Sequence, residues 1–206
     1  MTNGSQTFGI SIPENWTEYD LGGDTLSERR AEMLRQTPDK PTRDAVNQAF
    51  RNARRIMEGA RRRGAVYAAG TTTMYEDGLL MAGLMVFSLT PPPGEDFSAQ
   101  GLAKQFSASG ARKGEGTART FTTETLPQVG PVGRIVGVEE SEIGGGVSYK
   151  VVVMHTVVPV PGSRNVLIIT CFSPNLPVAD QLYDLFDAIT GTFAFGEPAP
   201  VPAATG

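Results

Sequence analysis

The chain has 206 residues, 40% hydrophobic and 19% charged, with one His, one Cys and one Trp. Those counts exclude an internal disulfide framework, a Cys₂ or Cys₄ zinc site, and a metal held by two or three His of one chain. A formal net charge of −4 argues against a general nucleic-acid binder, and no apolar run reaches the ~18 residues that a membrane-spanning helix needs.

In chain order, Phe8, Ile10 and Ile12 alternate with small or polar residues and predict a short strand that Pro13 ends. Trp16 follows in an extended piece, ENWTEYDL. The start of the chain carries neither a basic n-region nor an apolar h-region, and the sole Cys lies at 171, so a cytoplasmic location is expected. LSERRAEMLRQ (26–36) reads as a helix broken by Pro38 and Pro41. A second helix is expected over 42–63 with Thr42 as N-cap. Val46, Ala49, Phe50, Ala53, Ile56, Met57 and Ala60 form its apolar stripe, and Gly64 ends it.

The period then changes. AVYAAGTTTMY (65–75) predicts a strand, GluAspGly (76–78) a hairpin turn and LLMAGLMVFSLT (79–90) a return strand. The return strand is apolar at both parities, so it is expected to be covered on both faces. ProProPro (91–93) stops it, and 97–108 reads as a short helix starting near Asp96. SGARKGEG (109–116) reads as a flexible surface loop in which Arg112 and Lys113 are available for weak anion contact. It lacks the Gly-Lys-Ser/Thr of a P-loop and follows a helix, which excludes a dinucleotide fingerprint.

Four strands are expected next, over 117–126, 132–140, 147–158 and 166–173, joined as an antiparallel meander. In 147–158 the odd positions, among them Val151, Val153, His155 and Val157, read as the more apolar face. The closing helix, 178–190, puts Val178, Leu182, Leu185, Phe186 and Ile189 on one side, with Gly191 as C-cap. ThrPheAlaPhe (192–195) offers one more extended contact. The fold class expected is α/β of the α+β type: a mainly antiparallel sheet flanked by helices, an α/β/α sandwich. One domain spans 1–195, and 196–206 reads as a disordered Pro/Ala-rich tail.

FGISIPENW (8–16) and VLIITCFSPNLPVADQLYDLFDAITGTFAF (166–195) resemble the PsbP-like α/β/α sandwich superfamily. An opening strand ends in a Pro-x-x-Trp turn, and an apolar strand, an amphipathic helix and a Phe-containing exit close the domain. The resemblance implies that sandwich fold and a role in binding other proteins rather than catalysis. The Arg-rich helix and the long 91–116 segment depart from a compact member.

Candidate sites follow from residue types. His155 lies mid-strand on an apolar face and reads as structural, since no motif supplies a nucleophile or carboxylate partner. Cys171 reads as a small buried hydrophobe. Glu139, Glu140 and Glu142 read as a solvated hairpin end, without a calcium-loop pattern. Catalytic, metal and cofactor residues are therefore not expected.

The unusual feature is charge: residues 41–63 hold seven Arg and no Lys against Asp44 and Glu58, a net of +5 that leaves −9 on the rest. Arg presents a planar fork suited to carboxylates and is common at interfaces. Arg51, Arg54, Arg55 and Arg62 are thus the expected partner-binding residues of a non-catalytic adaptor or chaperone, with a secretion-associated role as one form of it. The partner expected is an acidic protein or a second copy of the chain. The alternative is a small apolar-ligand binder with a pocket between sheet and helices, with Met74, Met81 and Met85 as candidate lining.

Overall fold

The computed structural model describes residues 7–22, 24–36, 38–75, 78–109, 119–143 and 147–196. Two short strands, β1 (Phe8–Gly9) and β2 (Thr17–Glu18), precede the helices α1 (Asp24–Gln36) and α2 (Lys40–Arg62). A hairpin of β3 (Ala65–Tyr75) and β4 (Gly78–Leu89) follows, then α3 (Ala99–Ser109). The strands β5 (Thr120–Leu126), β6 (Gly130–Ile143), β7 (Val147–Pro159) and β8 (Val166–Ser173) come next. Helix α4 (Ala179–Gly191) and a last strand β9 (Ala194–Phe195) close the chain.

The main sheet has seven strands in the order β2-β3-β4-β8-β7-β6-β5, and every pairing is antiparallel. The fold class read from the sequence holds. The four-strand meander runs from β5 to β8, and β8 then inserts beside β4. A separate two-stranded ribbon, β1 with β9, pairs Phe8 with Phe195.

Cross-strand partners point to one side of a sheet and successive residues to opposite sides. On one face Leu84, Val86, Val152, Met154, Ile169 and Cys171 pack with Leu182, Phe186 and Ile189 of α4 in the main core. On the other face Ala68 and Met85 meet Leu26, Phe50 and Met57 of α1 and α2. Farther along that face Val157, Val166 and Ile168 meet Leu102 near α3's start.

Four local expectations are corrected. Asp39, not Thr42, caps α2: its carboxylate accepts the Thr42 N–H at 2.8 Å, and Pro41 sits in the first turn, where its missing N–H costs nothing. Gly191 lies inside α4 and Thr192 is the C-cap, its hydroxyl donating to the Ile189 carbonyl at 2.7 Å. In β7 the even positions Val152, Met154, Thr156 and Val158 are the most deeply buried, because α4 lies on that side. In β4 one face is covered and the other in part, for Leu79, Met81 and Leu89 remain exposed. The turn residues 76–77 and 144–146, the loop residues Arg112 and Lys113, and the tail from 197 lie outside the described residues.

Candidate functional site

Helix α2 is long because its sequence carries good helix formers, an N-terminal cap and no internal Pro beyond the first turn. Its buried side consists of Val46, Met57 and Ala60, with Phe50 and Ala53 half-buried. Hydrogen bonds from Arg30 to Asn47 (2.8 Å) and from Arg43 to the Leu34 carbonyl (2.8 Å) tie α1 to α2.

Arg51, Arg54, Arg55, Arg61, Arg62 and Arg63 are all exposed. Arg54 pairs with Glu58 at 3.3 Å, and Arg51 donates to Gln48 at 2.6 Å. Among the described residues, the Arg55, Arg61 and Arg62 guanidinium groups have no acid partner. The four expected partner-binding residues therefore divide. At 3.6 residues per turn, Arg51, Arg55 and Arg62 share a strip with Glu58 at its edge, and Arg54 lies farther round, reaching back to Glu58.

A groove of about 450 Å³ opens between α2 and β4. Ile56, Ala60 and Arg63 form the helix wall, and Met85, Phe87 and Leu89 form the sheet floor. Ile56 is 47% exposed and Leu89 36%, which is unusual for such side chains facing one another. Among the described residues Arg63 is the one charged residue lining it. Its Nε–H donates to the Gly59 carbonyl at 3.2 Å, which lays the side chain along the helix end. The absence of a Cβ at Gly59 keeps that surface low beside the guanidinium. Of the methionines expected to line a pocket, Met85 does so and Met81 does not, while the Met74 side chain lies outside the described residues.

A second polar cluster crosses the same sheet face. Met85, Thr170, His155 and Ile135 are successive cross-strand partners on β4, β8, β7 and β6. His155 Nδ1 is 3.0 Å from Thr170 Oγ1, and its Nε2 is 3.3 Å from Glu139 Oε1. Arg119 Nη2 reaches the same carboxylate oxygen at 2.8 Å. The carboxylate at Nε2 calls for an N–H on that nitrogen, while the Thr170 hydroxyl at Nδ1 can donate or accept. His155 thus has both a hydroxyl and a carboxylate neighbour, which the sequence pattern did not supply. The line still lacks an element of acyl transfer. Thr170 lies mid-strand between two paired neighbours, so the backbone N–H groups around it serve the ladders and do not converge on an oxyanion position.

Cys171 is fully buried on the α4 side. Burial pushes its thiol well above the ordinary range, against a smaller opposing pull from Arg134. It is an inert packing residue, as its alternation with Leu167 and Ile169 indicated. Arg134, missed by sequence reading, is 7% exposed and reaches from β6 to Asp187 and to Thr190 Oγ1 (3.1 Å) on α4. A lone Arg among apolar residues in GPVGRIVGV was the available signal. Among the described residues no group of three or more His, Cys, Asp or Glu gathers around a point that could hold a metal, and no helix is long and apolar enough to cross a membrane.

No family model matches the chain, and no curated protein matches it. Among solved structures, one described as LpqN involved in cell envelope biogenesis of Mycobacterium tuberculosis is similar at 12% identity, with a TM-score of 0.49. The match covers 95% of this chain and 87% of that one. A likeness of this degree carries no functional argument.

Proposed function

We propose that this protein is a non-catalytic binding protein, an adaptor or chaperone, that meets an acidic protein partner through the exposed face of α2. The observation that carries this reading is the strip of Arg51, Arg55 and Arg62, solvent-exposed on a helix whose opposite side is anchored in a core. Fixing the backbone of such a strip positions its guanidinium forks to pair with carboxylates and raises the rate of encounter with a negative surface. The same reading includes PsbP-like membership, one domain over 1–195, a cytoplasmic location and no nucleic-acid partner. A second reading, small apolar-ligand binding between sheet and helices, is supported by the α2–β4 groove.

The test is affinity capture from source-cell lysate with wild-type protein and with the quadruple variant Arg51→Glu, Arg54→Glu, Arg55→Glu, Arg62→Glu. Circular dichroism and urea denaturation confirm that both are folded. The expected result is a partner retained by wild type at low salt, released by raised salt and absent from the variant. Identical captured proteins on both baits, or none on either, overturns the reading.

A further inference from the structure

The groove beside α2 has the two halves of a site for a particular ligand chemistry. Its floor and one wall are apolar side chains: Met85, Phe87, Leu89, Ile56 and Ala60. Among the described residues its one charged lining group is the Arg63 guanidinium, and no acid lines it. From Met85 to Leu89 the floor runs ~14 Å at the usual rise of an extended strand. On α2, Gly59 follows the groove wall, and Arg55 and Arg62 lie beyond it. The charge at the edge of this apolar slot is therefore that of Arg63.

We propose that this groove binds a free single-chain anionic amphiphile, a medium-length acyl carboxylate. The tail lies along Met85, Phe87 and Leu89, and the carboxylate sits on Arg63. Charge complementarity selects this occupant. A neutral hydrocarbon leaves Arg63 unused, and a cationic amphiphile is repelled by Arg63. A carboxylate accepts two parallel N–H bonds from a guanidinium fork. The polarizable Met85 and the exposed Ile56 and Leu89 can adjust to a chain of variable length. The proposal rests on the second reading above and is independent of the protein-partner reading, because the groove residues and the Arg51, Arg55 and Arg62 strip occupy different sides of α2.

The experiment uses full-length protein with ¹³C-methyl-labelled methionine. Octanoate, decanoate, decanol and decyltrimethylammonium are titrated in below their micelle-forming concentrations. The Met85 methyl signal is the reporter and the fully buried Met154 is the internal reference. The expected result is saturable displacement of Met85 by decanoate, with affinity rising about fourfold per added methylene. Decanol binds about tenfold more weakly, and the ammonium weaker still. Arg63→Gln lowers decanoate affinity about tenfold and leaves decanol unchanged, an asymmetry that general loss of structure does not produce. Ile56→Glu weakens both. No saturable shift with decanoate, or equal affinities for carboxylate, alcohol and ammonium, overturns the proposal. A Met85 shift seen with phosphatidylglycerol vesicles and not with monomeric decanoate also overturns it, in favour of a membrane surface. The quadruple Arg→Glu variant, with Arg63 intact, still shifts Met85 with decanoate if the groove proposal holds and the partner reading alone fails.

Discussion

Arg134 shows how one side chain can hold two layers together. Its guanidinium is buried under α4 and bonds to Asp187 and Thr190, yet its Nε and the Oγ1 of its cross-strand neighbour Thr156 are both buried without a protein partner. A buried cation carries a desolvation cost that its hydrogen bonds offset only in part. Asp187, by contrast, is 63% exposed at its side chain, so its own desolvation is small. Removing the two partners should therefore have unequal effects. Asp187→Ala leaves the cation buried without its counter-charge and should destabilise by about 2 kcal/mol. Arg134→Met removes cation and orphaned Nε together and should cost less than that. Urea denaturation of the two variants checks the order, and equal or reversed losses contradict it. Such an assignment was not legible in sequence, because nothing local to GPVGRIVGV says that residue 187 will lie above it. His155 is the same case. Its place on an apolar strand was read correctly, but its carboxylate and hydroxyl neighbours come from β6 and β8, elements whose registers only the folded sheet fixes.

Among the elements, α2 depends on how it starts. Asp39 is held below the ordinary carboxylate value of 3.8, first by the Thr42 backbone N–H and then by the Thr42 side chain. A carboxyl lowered on folding adds stability at pH values above its unfolded value, and that stability is lost as pH falls through the folded value. Asp39→Ala should lower the melting temperature at pH 7 and fray the first turn of α2. The difference from wild type should persist down to about pH 3.8 and shrink below it. Thermal melts followed by far-UV circular dichroism measure this, and a difference that grows on acidification contradicts the cap assignment. The helix itself was legible from the spacing of Val46, Phe50, Ala53, Met57 and Ala60. Its start was misread by a turn, since Pro41 looked like a break and is instead a first-turn residue. The groove was illegible for another reason. Ile56 and Leu89 each fit a core pattern, and only the packed geometry shows that neither is covered.

Across the whole molecule, the ends of the fold close on each other. Phe8 stacks on Phe193 with ring centroids 5.5 Å apart, and Phe193 meets Phe195 edge-on at 5.3 Å. The Gly196 N–H donates to the Thr7 carbonyl at 2.8 Å, and the Ser11 N–H to Thr192 Oγ1 at 2.8 Å. Phe193 is fully buried in the main core, so Phe193→Ala should cost about 3–5 kcal/mol and free both ribbon strands at once. Hydrogen exchange should then speed at Gly9 and Gly196 together. Faster exchange at one end alone contradicts a shared closure. The hairpin, the meander and the closing helix were legible, since each is written in local periodicity. That β8 would lie beside β4 was not, for pairing across a long stretch of chain leaves no local mark.

That insertion has a consequence for the newborn chain. The hairpin of β3 and β4 leaves the ribosome long before β8 does. At ordinary rates of synthesis β4 waits on the order of several seconds for its neighbour. Throughout that time it presents a row of unpaired backbone groups flanked by Leu84 and Val86, a template for any other extended chain. The hazard of this edge is thus an interval during synthesis, which ends when β8 covers β4. A translational pause before residue 166 should leave aggregates, and one after residue 173 should leave far fewer.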